Sequence, residues 1–525
     1  MIKKISLAKI AESSVLFYTV LLINVIILFL TKYFPTMDGV SHLYNAKLIN
    51  EIMTGNEVIL DYFKVQPFYI PNWCNTFIMS ILYFFFSSWM VEKVYLMIYI
   101  VGTAISFRYL IKQLNPQALS LTVFIFPALY SFLFILGFYN FTFSFMFFFL
   151  SLAVWIKSQH HRKYYHYILM FFLLMGTYYT NVLTFGFIGL SLGLYTLFFT
   201  YQEFQKERNF GKCFKSFAKE ILLLFMIALP ALIFLLLFYT KIPLIGSDST
   251  IVHSQKELIK WLYDSRALIT YDYLTDVVCT GQFILLFVLL LTISFIKLKD
   301  KDNRLFLGKA DVMLIPLLLA LVFYFFIPNG AHAQMMSDRF CLIIYFLTML
   351  WVVARAVPHK ANTYIVFWVI LLHFVLLKFH YPCVKSMNER AIIVNNAAEQ
   401  IEENSVVLSV YMNQFWVEQH AVDYLGIDKP MILLDNYEAN LGWFPLRWDG
   451  EKIPNIMLSD KTQVSGAVWY RNENAPVKQI DYVVVYGNPE HLNNPEYQEL
   501  KELLDADFLL DAVTKNYCFS LYKRR

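Results

Sequence analysis

The sequence predicts an α-helical polytopic membrane protein followed by a soluble α/β domain. Apolar side chains make up 58% of its 525 residues, with 50 Phe and 35 Tyr, and only 16% of residues are charged. That composition lies well outside the range of soluble globular proteins. From about Lys385 onward charged residues return and hydrophobic runs shrink to strand length. The division is therefore set at residues 1–383 for the membrane part and 384–525 for the α/β domain.

Windows of about 20 apolar residues predict spans near 13–33, 92–112, 119–137, 139–157, 164–182, 183–200, 219–240, 276–297, 311–328, 337–357 and 361–381, about eleven in all. The first follows Lys3, Lys4 and Lys9 and ends in Thr31-Lys32-Tyr33-Phe34-Pro35 without a small-residue cleavage site, which reads as an uncleaved signal anchor. The apolar segment 75–88 is shorter. If it crossed, the basic loops around Arg108, Lys157, Lys212, Lys299 and Arg355 would fall outside. The positive-inside rule therefore makes it an interfacial helix within an outer loop, 33–91. The same rule puts the N-terminus in the cytoplasm and the C-terminal domain outside a plasma (inner) membrane.

In the C-terminal domain, helices are predicted over 386–403 and 496–506 and strands over 406–411, 482–486 and 517–522. No G-x-G-x-x-G follows any of these strands, so a nucleotide-binding reading lacks its phosphate loop. The net charge of +4 is spread over loops with no basic block, which argues against nucleic acid as a partner. Six cysteines without C-x-x-C spacing argue against a zinc or redox pair and leave a Cys383–Cys518 disulfide open. Asn140-Phe141-Thr142 matches a glycan acceptor pattern but opens a span, so it is assigned no glycan.

Asp38 stands out, in Met37-Asp38-Gly39-Val40-Ser41-His42 just beyond the first span. An ionisable pair at that depth marks a working site by default. The competing reading is a helix N-cap; the two are compatible, because a cap also fixes the carboxylate. His42, four residues on, shares a helical face with Asp38. Both fit a sugar hydroxyl or a divalent metal, although two ligands do not make a metal site, and metal dependence stays open. Arg339 offers a fork of donors for a phosphate, against the alternative of an anchor snorkelling to headgroups. His332 is a second phosphate candidate. Tyr44, Asn181, His420, Tyr424, Asn436, Tyr437 and Glu438 are candidates for sugar or acceptor binding, because aromatic faces and amides together make a carbohydrate surface. The same aromatics also suit packing of the outer domain.

The first span, the outer loop opening with Asp38, the segment from Pro71 to Ser88, and a span closing in Phe107-Arg108-Tyr109-Leu110 resemble the opening module of the GT-C superfamily of membrane glycosyltransferases. The resemblance implies transfer of a sugar from a polyprenyl-phosphate donor to a glycan, lipid or protein acceptor outside the cytoplasm. Asp38 would then be the general base and Arg339 a phosphate contact. The chain departs from the family's paired acidic motif, since Asp38 stands between Met37 and Gly39, and carries Asn181 where some members have His. Two rival readings are a flippase or transporter of a lipid-linked glycan and a non-catalytic scaffold in envelope assembly.

Overall fold

The computed structural model describes residues 6–160, 163–241, 252–302, 308–329, 335–412, 415–449, 480–513 and 519–525, without the side chains of 160, 298–302, 489, 496 and 499. The chain divides into two compact units. One comprises Met1–Leu28, Met97–Phe134 and Tyr139–Pro382; the other comprises Phe29–Leu96, Ile135–Phe138 and Cys383–Arg525.

The first unit is helical. Among the described residues, eight helices are long and apolar enough to cross a membrane: Ser88–Leu114, Tyr139–Gln159, Val182–Glu207, Phe210–Lys241, Tyr273–Lys297, Lys309–Phe326, Met336–Arg355 and Ala361–Gln400. Three of the eleven predicted windows form shorter pieces. Ser14–Leu28 has 15 residues and Tyr164–Thr180 has 17, hence rises of about 22 and 25 Å against a hydrocarbon core of about 30 Å. The window at 119–137 breaks into a 3₁₀ segment, Pro116–Phe124, and short helices Ile125–Leu129 and Phe132–Ile135. Pro127 lacks the N–H that a continuous helix through this window needs.

Burial in this unit runs against hydropathy. Met336–Arg355 is 83% buried at a mean hydropathy of 1.6, while Phe210–Lys241 is 17% buried at 3.1. With lipid as solvent, apolar surface gains little by turning inward, so packing and polar contacts decide which helix is central. The central helix carries such contacts: Trp351 Nε1 donates to Asp311 at 3.0 Å, Arg355 pairs with the same carboxylate, and Asp338 pairs with Arg266 at 3.2 Å.

The second unit is built on a mixed sheet. Numbered in chain order, the strands are β1 (Phe63–Val65), β2 (Val406–Tyr411), β3 (Ile432–Leu433), β4 (Leu446–Trp448), β5 (Tyr482–Tyr486), β6 (Phe508–Val513) and β7 (Phe519–Arg524). The five-stranded sheet has the order β3-β2-β5-β7-β6, with β3, β2 and β5 parallel and the last two joins antiparallel. β2 (Val-Val-Leu-Ser-Val-Tyr) and β5 (Tyr-Val-Val-Val-Tyr) are buried at every position, as strands covered on both faces must be. Edge strand β6 is mostly exposed, and a register shift between Leu510 and Ala512 roughens it against further pairing. β1 and β4 form a separate antiparallel pair in which Phe63 stacks on Trp448 at 4.3 Å.

β2, β5 and the helix Gln498–Asp507 fall where the sequence places them, and β7 overlaps its expected position; residues 517 and 518 lie outside the described residues, as does Cys518. The helix expected at 386 does not start there. It is the end of one 37-residue helix, Ala361–Ala397, that runs through Pro382. The expected helix at 75–88 is Trp73–Leu82, ten residues, too short to cross a bilayer. It packs on the helix Gly39–Met53, where Ser80 Oγ donates to the Ala46 carbonyl at 3.0 Å and Asn50 Nδ2 to that of Ser80 at 3.2 Å.

Candidate active site

Asp38 sits at the start of the helix Gly39–Met53, in the second unit, and is 6% exposed. Its position is that of an N-cap, yet its side chain makes no capping hydrogen bond. Backbone contacts fix the residue instead. The N–H groups of Met37 and Asp38 donate to the carbonyls of Ile135 and Leu136, each at 3.1 Å. Gly137 makes that approach feasible. Its φ is +81°, and a Cβ there would lie 2.5 Å from the Gly39 nitrogen and 2.6 Å from that of Asp38. Only glycine fits both the left-handed conformation and the gap.

Asp38, Ser41, His42 and Asn45 recur at i, i+3, i+4 and i+7, which puts four polar side chains on one helical face. Each meets a group from the C-terminal part of the same unit. His42 Nδ1 lies 2.5 Å from Glu438 Oε1, and its Nε2 lies 3.0 Å from the Gly137 carbonyl. Asn45 Nδ2 donates to Glu438 Oε2 at 3.0 Å and to Asn436 Oδ1 at 3.2 Å, while Asn436 Nδ2 returns a bond to Asn45 Oδ1 at 2.8 Å. Ser41 Oγ donates to Asp423 Oδ2 at 2.5 Å. Tyr44 points elsewhere: its hydroxyl donates to the Met431 carbonyl at 2.7 Å and accepts from the Leu433 N–H at 3.0 Å, which anchors β3.

The partners around Asp38 stand just beyond the carboxyl ends of the parallel strands, where open α/β sheets gather their ligand groups. Asp435, Asn436, Tyr437 and Glu438 follow β3, and Glu418, His420 and Asp423 follow β2. Tyr437 hydrogen-bonds Asp38, and its ring stacks on His420 at 4.5 Å. His420 Nε2 is 3.6 Å from Asp38 Oδ1. Glu418 is paired with Arg390 and accepts from the Tyr486 hydroxyl at 3.1 Å.

Burial sets the charge states here. It pulls His420 down to about 3, helped by the nearby His42, so this imidazole is neutral at physiological pH. It pushes Asp435 up to about 6 against the Ser409 hydrogen bond, and Asp423 further up, with Asp435, Glu438 and Asp38 adding to the rise. Burial also works to lower His42, but Glu438, Asp38 and the Gly137 carbonyl outweigh it and the net shift is upward.

The remaining sequence candidates make other contacts, each within its own unit. Tyr424, in the same unit, packs its ring on Tyr33 at 4.8 Å. Asn181 belongs to the helical unit, where it caps Val182–Glu207 by accepting from the Thr184 N–H at 3.1 Å. Arg339 is half-buried in that unit with its guanidinium 5.2 Å from the centre of the Phe141 ring. His332 lies outside the described residues. Among the described residues no group of three His, Cys, Asp or Glu side chains is arranged to hold a metal ion. Sequence reading missed Gly137, Ser41, Asn45, Asp423 and Asp435. The polar stripe 38-41-42-45 was a legible signal for two of them; the others needed the fold.

No family model and no curated protein matches the chain. Solved structures similar to it include two of ArnT from Cupriavidus metallidurans. The apo state matches at 13% identity and a TM-score of 0.43, and the form bound to undecaprenyl phosphate at 11% identity and 0.43, each over 97% of both chains.

Proposed function

We propose that this chain is a membrane glycosyltransferase of the GT-C type, which moves a sugar from a polyprenyl-phosphate donor to an acceptor hydroxyl on the extracytoplasmic side. The observation that carries the reading is the setting of Asp38. It is a buried carboxylate, placed by backbone bonds and not spent on capping its helix, at the carboxyl ends of a parallel sheet. In the proposed reaction the acceptor oxygen attacks the anomeric carbon and the carbon–oxygen bond to the phosphate breaks. Asp38 takes the hydroxyl proton, and the polyprenyl phosphate leaves with the bonding pair.

Tyr437 orients the Asp38 carboxylate as a hydrogen-bond donor, and the neutral His420 imidazole lies beside it at 3.6 Å. The half-buried Tyr437 ring, stacked on His420, offers an edge against which a sugar can pack. Arg339, and His332 with it, are assigned to the donor phosphate on their chemistry, since a guanidinium presents paired donors and carries a fixed charge.

Transfer by purified full-length Asp38→Asn protein tests the reading. A general base contributes about 10²–10⁴-fold, so turnover of a polyprenyl-phosphate-linked sugar should fall by that factor with thermal stability retained. Turnover within a few-fold of the wild type would remove Asp38 from the mechanism.

A further inference from the structure

We propose that His42 is a positioning residue, held as an imidazolium between Glu438 and the Gly137 carbonyl so that its charge keeps Asp38 ionised. The inference deepens the reading of Asp38 as the base and rests on it for its functional meaning.

A carbonyl oxygen only accepts, so the Nε2 that faces Gly137 at 3.0 Å carries a proton. The other ring nitrogen lies 2.5 Å from Glu438 Oε1, within ion-pair reach of a carboxylate. Glu438 is itself fixed through its second oxygen, which accepts from Asn45 Nδ2 at 3.0 Å. The imidazole is 4% exposed and Glu438 1%, so water does little to screen the pair.

The neighbours decide which partner holds the charge. The titratable groups gathered here are Asp38, Glu438, Asp423, Asp435, Tyr437 and His420, four of them carboxyls. Burial pushes Asp423 and Asp435 toward the neutral acid, so the carboxylates that favour a cation at His42 are Glu438 and Asp38. Glu438 and Asp38 both act to keep His42 protonated, and its charge in turn helps to keep His420 neutral. His42 and Asp38 share a helical face, and the backbone bond from the His42 N–H to the Asp38 carbonyl at 3.1 Å keeps the two residues one turn apart. The division of labour follows: His42 supplies charge, while Tyr437 supplies orientation.

Nuclear magnetic resonance on full-length protein in detergent micelles tests this without a transfer assay. In ¹⁵N-histidine protein, the signal absent from His42→Gln is assigned to His42. Both its nitrogens should stay protonated above the ordinary midpoint of about 6.5, and Glu438→Gln should lower that midpoint by at least about one unit. In protein with ¹³C-labelled aspartate carboxyls, the signal absent from Asp38→Asn is assigned to Asp38. His42→Gln should raise its midpoint by about one unit, a tenfold change in proton affinity. A wild-type His42 that is neutral at pH 7 overturns the proposal, and this titration decides by itself if a variant fails to fold. An Asp38 midpoint indifferent to His42→Gln overturns it too. A turnover-competent Asp38→Asn protein would instead remove the proposed base and leave the measured His42–Asp38 coupling standing.

Discussion

Gly137→Ala should be among the most damaging single-methyl changes in this protein. Gly137 adopts φ +81°, a region in which an L side chain costs about 1–2 kcal/mol. The added Cβ would also meet the backbone nitrogens of Gly39 and Asp38 at 2.5 and 2.6 Å and the Asp38 Cα at 2.8 Å, and backbone cannot rotate away as a side chain can. Relieving that overlap should cost about 1–3 kcal/mol and stretch the 3.1 Å bond from Asp38 to the Leu136 carbonyl. The total is about 2–5 kcal/mol. Gly55 supplies an internal reference, with φ +91° and nothing within 4 Å of its notional Cβ. Gly55→Ala pays the conformational cost alone, about 1–2 kcal/mol. The assay is the thermal unfolding midpoint of both full-length variants in one detergent at one protein concentration. At about 2–4 °C per kcal/mol, Gly137→Ala should melt several degrees below Gly55→Ala. Equal midpoints would refute the claim that close backbone approach, beyond a left-handed φ, seats Asp38.

Tyr44→Phe leaves a buried Leu433 N–H and a Met431 carbonyl without the hydroxyl that serves both, and should lower stability by about 1–3 kcal/mol in the same melt. Asp435→Asn tests the pH dependence. Burial raises this carboxyl from 3.8 to about 6, so between those values the folded chain holds a proton that the unfolded chain has released. The stabilisation is present below the ordinary carboxyl range and is lost as pH rises through about 6; the variant should therefore gain on the wild type by about 1–3 kcal/mol between pH 4 and 7. A difference in midpoint that does not change with pH would contradict it. In the helical unit, Arg355→Met strands the Asp311 carboxylate beside Trp351 and should cost about 3–5 kcal/mol. Most of that loss should return in the double variant with Asp311→Leu, as a melt of the four proteins would show.

The sequence by itself determined the membrane class and strands β2 and β5, because long apolar runs and fully apolar strand cores are local properties of the chain. It also marked Asp38, since one acid beyond an apolar span is visible without a fold, and Asp38, Ser41, His42 and Asn45 already stand at helical spacing. What only tertiary structure decided are the partners. Glu438, Asp423 and His420 lie nearly 400 residues downstream and meet that helical face because β2 and β3 run parallel and present their carboxyl ends together. β1, β3 and β4 have two or three residues each, too few to show a period. The windows at 13–33, 119–137 and 164–182 were apolar enough to predict spans, but caps, prolines and 3₁₀ turns set their helix lengths, and hydropathy averages do not register those. Gly137 shows the limit most plainly: a glycine in a Phe-rich stretch carries no sign that another backbone passes 2.5 Å from where its side chain would be.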